Sequence, residues 1–117
     1  MVELYFTEVK PNCLRVCVHL IGGHTRGLQV VRVLTQRGYV VVASDATHLY
    51  GNIEREVPFP AVLNVGDMLE GYAKIRQLVD TSSHIVPGHD PLVMHYYPPP
   101  SSDLRGIAVR LDVEPTM

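Results

Sequence analysis

The sequence predicts an α+β domain with a mostly antiparallel sheet and one main helix. Three observations predict it. Apolar, β-branched runs recur at 14–21, 29–35 and 39–44, a single stretch at 65–81 repeats apolar residues at helical spacing, and turns rich in Gly or Pro separate them.

Leu14 to Ile21 contains Val16, Cys17 and Val18 and suits a buried strand running into the Gly22-Gly23 turn. Gln29–Thr35 and Tyr39–Ser44 are the next two strands, with Gln36-Arg37-Gly38 as the hairpin turn between them. From Asp45 to Leu63 the chain reads as an irregular loop, because Gly51, Pro58 and Pro60 interrupt any ladder. Asn64 is a good N-cap with Asp67 three positions on, and Met68, Tyr72, Ile75 and Val79 mark the inward face of a helix over 65–81. His84-Ile85-Val86 is a short strand, and the Pro87-Gly88 turn presents His89. A turn or helix follows Pro91, then Pro98-Pro99-Pro100, and alternation of Ile107, Val109 and Leu111 predicts a last strand over 106–112.

Composition bounds the chain without naming its chemistry. Its 117 residues make a single, partial domain over 1–117, with 46% hydrophobic and 19% charged residues, a globular rather than disordered balance. A net charge of −2 and scattered basic residues exclude a nucleic-acid footprint. No apolar run reaches the roughly 18–20 residues that span a bilayer. Residues 1–10 lack the basic n-region of a secretory signal, so the expected compartment is the cytoplasm. Cys13 and Cys17 are too near each other along a strand to close a useful loop, and buried free thiols are the expected state.

Three segments carry the chemistry. Gly22-Gly23-His24-Thr25-Arg26-Gly27, Ala43-Ser44-Asp45-Ala46-Thr47-His48 and Val86-Pro87-Gly88-His89-Asp90-Pro91 each place a metal-ligand type on a loop beside a β-like run. Zinc-like ions take imidazole nitrogen and carboxylate oxygen, and loops just past strands can aim such groups into one cavity. Taken singly, each His reads as a surface or capping residue and Asp45 as a turn residue; the ordered set of His24, Asp45 and His89 favours a metal site. Asp90 is expected to orient its loop, and His19, His84 and His95 carry no motif. No His-x-His-x-Asp-His run is present.

These segments resemble the C-terminal half of a metallo-β-lactamase-fold hydrolase, most of all the N-acyl homoserine lactone lactonase group. The resemblance runs from about Arg15 to Pro91, and the Pro-Gly-His-Asp context of His89 is part of it. It implies one αβ half of an αβ/βα sandwich and a function in opening a lactone or carboxylic ester by metal-activated hydroxide. In the complete family site two divalent ions are held, with zinc the first expectation and iron or manganese acceptable. By the same resemblance His24 binds one ion, Asp45 bridges, and His89 binds the other. His48 stands where many lactonases have a Tyr that hydrogen-bonds the lactone carbonyl, which makes His48 and Asp45 the catalytic candidates and Tyr50 a substitute for His48. No other cofactor-binding residues are expected.

The absent motif leaves each ion one imidazole, so the chain alone is expected to be weakly active or inactive. An apolar sheet face without its usual companion implies self-association or a missing N-terminal half. The contrasting reading is a non-catalytic module that dimerises through that face.

Overall fold

The computed structural model describes residues 15–117. Four strands form one sheet in the order β1-β2-β3-β4: β1 is Val16–Leu20, β2 Gln29–Thr35, β3 Gly38–Val42 and β4 Ile85–Val86. The first three pair antiparallel and β4 joins β3 in parallel. The hairpin between β2 and β3 closes with Thr35 opposite Gly38, whose φ of +102° suits a residue without Cβ. The α+β reading with a mostly antiparallel sheet therefore holds.

Strand alternation sorts the sheet into two faces. Val30, Val41 and Ile85 point to one face, where they meet Met68, Tyr72 and Ile75 of helix α2 (Val65–Gln77) in the main core. Each of these three helix side chains is at most 1% exposed, and complete burial of Met68 and Ile75 contributes about 1.5–3 kcal/mol each. The helix starts where expected because the Asn64 carboxamide oxygen accepts the Asp67 N–H at 2.9 Å.

The helix ends earlier than the periodicity predicts, at Gln77 rather than residue 81. Leu78 N–H turns back to Ile75 O, and the following Asp80-Thr81-Ser82-Ser83 are residues whose side chains compete for backbone groups. Leu78 and Val79 still pack on the core, so hydrophobic spacing outlasts the helix.

The stretch after Asp45, expected to be an irregular loop, contains helix α1 (Tyr50–Arg55). Asn52 Oδ1 accepts the Leu49 N–H at 2.8 Å to start it, and Glu56 ends it in the left-handed region at φ 56°. Helix α3, Leu92–Tyr96, follows Pro91.

The last predicted strand does not form. Arg110 N–H donates to Pro98 O at 2.8 Å and Leu111 O accepts from Arg37 Nε at 3.0 Å, so the backbone groups of this segment find partners away from the sheet ladder. Val109 and Leu111 instead pack on Val40, Val86 and Tyr97 across the other sheet face. Ile107 is 73% exposed.

Among the described residues, that second face is only partly covered. Val16, Leu20 and Val42 lie on it and are exposed. Cys17 on β1 is disulfide-bonded, which corrects the expectation of free thiols; it is only partly buried, so burial gave no ground for that expectation. Cys13 lies outside the described residues. Among those residues, no helix is long and apolar enough to cross a membrane.

Candidate metal centre

Asp45 sits in a single helical turn, Ser44–Ala46, directly after β3. Ser44 takes a left-handed φ of 48°, and Ala46 N–H bonds to Ala43 O at 3.0 Å. This local reversal lifts the carboxylate off the end of the strand.

The parallel pairing of β3 with β4 continues past the strand ends. Ala43 N–H donates to Val86 O, Gly88 N–H to Thr47 O and His89 N–H to His48 O, all between 2.9 and 3.0 Å. The two loops are thereby zipped side by side. A Cβ at Gly88 would stand 2.5 Å from Ser44 O, so this approach requires glycine.

The loop carrying His24 is fixed from another direction. Gly23, at φ +90°, lies against the backbone of Met68, and its carbonyl accepts the N–H groups of Leu63 and Asn64. His24 Nδ1 is hydrogen-bonded to Ala61 O. A carbonyl can only accept, so Nδ1 carries a proton and Nε2 is the nitrogen turned toward the carboxylate.

That Nε2 faces Asp45 Oδ2 at 3.6 Å. His89 Nε2 lies 2.6 Å from Asp45 Oδ1, and His48 Nε2 lies 3.1 Å from the same oxygen. Three imidazoles therefore surround one carboxylate. His48 also stacks on Phe59, with centroids 3.4 Å apart and planes 7° off parallel. The His89 side chain is 60% exposed, so the cluster opens to solvent.

Desolvation works against ionisation of Asp45, but the hydrogen bond from His89 and the charges of the three histidines outweigh it and hold the carboxyl below its ordinary value. His48 is lowered by burial first and by repulsion from His89 next, against the attraction of Asp45. Both shifts favour the forms that bind a metal, the carboxylate of Asp45 and the neutral imidazole of His48. Asp45, His48 and His89 offer ligand atoms that all lie within 4.8 Å of one another, so the donor set fits a divalent ion by chemistry and by spacing.

The structure thus brings His24, Asp45, His48 and His89 together. Tyr50 does not join them. Its ring is buried against Tyr96 at 5.6 Å, and burial raises its pKa well above the ordinary value. Asp90 turns its carboxylate onto the N–H groups of Tyr50 and Leu92, fixing the loop after His89. Phe59 was not singled out by sequence; its place between Pro58 and Pro60 in the loop over the site is the signal that could have marked it.

No protein-family model and no curated protein sequence matches the chain. Solved structures do. An N-acyl homoserine lactone hydrolase with the product N-hexanoyl-L-homoserine at its catalytic metal centre is 28% identical, with a TM-score of 0.62 over 76% of this chain and 35% of that one. A quorum-quenching N-acyl homoserine lactone hydrolase is 30% identical, with a TM-score of 0.59 over 73% of this chain and 34% of the other. A probable metal-dependent hydrolase from Staphylococcus aureus shares the fold at 13% identity, with a TM-score of 0.57 over 78% and 31% of the two chains. This chain spans about a third of the length of the structures it matches. With its four-stranded mixed sheet, the chain has the architecture of one αβ half of the metallo-β-lactamase fold and is similar to that part of N-acyl homoserine lactone hydrolases.

Proposed function

We propose that this chain is the part of a metal-dependent hydrolase that supplies Asp45, His24 and His89 to a centre opening a lactone or related carboxylic ester. The observation that carries the reading is the convergence of the His24 and His89 imidazoles on the two oxygens of Asp45. Likeness to enzymes solved with homoserine-type product supports the substrate class.

Divalent ions, zinc first among them, would supply a water acidified toward neutral pH and a Lewis acid for the carbonyl. The residues of this chain do the rest. Asp45 orients its two oxygens toward opposite imidazoles, the Ala61 carbonyl fixes the His24 tautomer, and the Phe59 ring holds the plane of His48 beside the carboxylate. There His48 Nε2 faces the same carboxylate oxygen as His89 Nε2.

Val16, Leu20 and Val42 on the open sheet face support association with a complementary half or a second copy. The test is complementation. The complementary half of the 30%-identical lactone hydrolase is mixed with this chain and zinc, and hydrolysis of a homoserine lactone is followed by proton release. Activity above that of either part, abolished by Asp45→Asn, supports the proposal. Equal activity in the variant would refute the role of Asp45.

A further inference from the structure

We propose that Asp45, His48 and His89 form a one-ion site contained wholly within this chain, with His48 as a metal ligand. The inference rests on reading the cluster as metal-binding, but not on hydrolase activity or on a second half.

The geometry favours His48 over His24 as the third ligand. His48 Nε2 and His89 Nε2 both address Asp45 Oδ1, at 3.1 and 2.6 Å, whereas His24 Nε2 addresses the other oxygen from 3.6 Å. The ligand atoms of Asp45, His48 and His89 fall within one 4.8 Å envelope. Donors around a tetrahedral ion at about 2.1 Å are separated by about 3.4 Å, so small shifts of side chains already in place admit the ion.

Orientation points the same way. The rings of His48 and His89 meet edge to face, 61° apart with centroids at 4.4 Å, and both Nε2 atoms are turned onto Asp45 Oδ1. Stacking on Phe59 fixes the His48 plane before any ion arrives, which lowers the ordering cost of binding. Exposure of the His89 side chain leaves the approach open. Two imidazoles and a carboxylate are a sufficient protein set for a zinc ion that keeps a solvent position, and the same trio suits ferrous iron. His24, on the far oxygen, stays available for a second ion.

The experiment is titration of the metal-free full chain with Zn²⁺ by calorimetry, alongside His48→Ala and His24→Ala. The expected result is one ion per chain, with affinity reduced about 100-fold or more by His48→Ala, at or beyond the 10–100-fold effect of losing a supporting partner, and reduced less than tenfold by His24→Ala. A reversed order of the two variants overturns the proposal and favours an ion held by His24. Absence of binding by the wild-type chain also overturns it, while the complementation assay still decides the hydrolase reading independently. If His48→Ala fails to fold, ¹⁵N-histidine spectra of the wild type replace it. Zinc must then shift Nε2 of His48 and His89 and leave His24 in place; an unmoved His48 signal overturns the proposal.

Discussion

His89 Nε2 lies 2.6 Å from Asp45 Oδ1 across 44 residues of chain. The contact depends on the close backbone approach at Gly88, where a Cβ would meet Ser44 O at 2.5 Å. Gly88→Ala is therefore expected to push the two loops apart, costing about 1–3 kcal/mol of stability and about 10–100-fold in zinc affinity. Thermal unfolding and zinc titration of the variant check both.

Asn64 caps α2 through its side-chain oxygen. Asn64→Ala is expected to cost about 1 kcal/mol, and Asn64→Asp to restore most of it, because either oxygen satisfies the Asp67 N–H. Urea unfolding of the three proteins reads the difference.

Arg37, with a side chain only 4% exposed, ties the C-terminal segment to the sheet. Its guanidinium donates to Leu111 O, Ser83 O and Tyr97 Oη and pairs with Glu114 at 3.7 Å. Arg37→Met is expected to lose about 2–3 kcal/mol, since hydrogen bonds from a charged donor are among the stronger ones. Limited proteolysis should then cleave within 97–117 before the sheet.

His19 is buried on β1, and its Nε2 has no hydrogen-bond partner among the described residues. Burial, then the nearby charge of Arg32, lowers its pKa below the ordinary 6.5. Below that value the unfolded chain takes up a proton that the native chain refuses, so stability falls as pH drops through 6.5 toward the lowered native value. His19→Met is expected to flatten the loss of thermal stability between pH 7 and pH 5. An equally steep loss in the variant would contradict this assignment.

Much of this architecture was legible in residue order. β1 to β3 declare themselves because Val-rich runs have few other uses, and α2 because a capping Asn precedes a spaced apolar face. Short α1 was hidden because Asn52 starts it through a side-chain bond, and only Tyr50 and Ile53 form its buried side. The segment at 106–112 alternates like a strand yet packs across a face, since Arg37 and Pro98 take its backbone groups. His24, Asp45 and His89 were marked by their Gly and Asp neighbours. The shared contact of His48 and His89 with one carboxylate oxygen is a property of three folded loops, and nothing in the spacing of 45, 48 and 89 encodes it.

The most direct test of a metal centre around Asp45 is a crystal structure of the zinc-loaded chain with anomalous diffraction measured at the zinc edge. A zinc peak within about 2.0–2.2 Å of an Asp45 carboxylate oxygen and of His89 Nε2 is expected. Full-occupancy zinc bound elsewhere, with the imidazoles of His24, His48 and His89 turned away from Asp45, would contradict it.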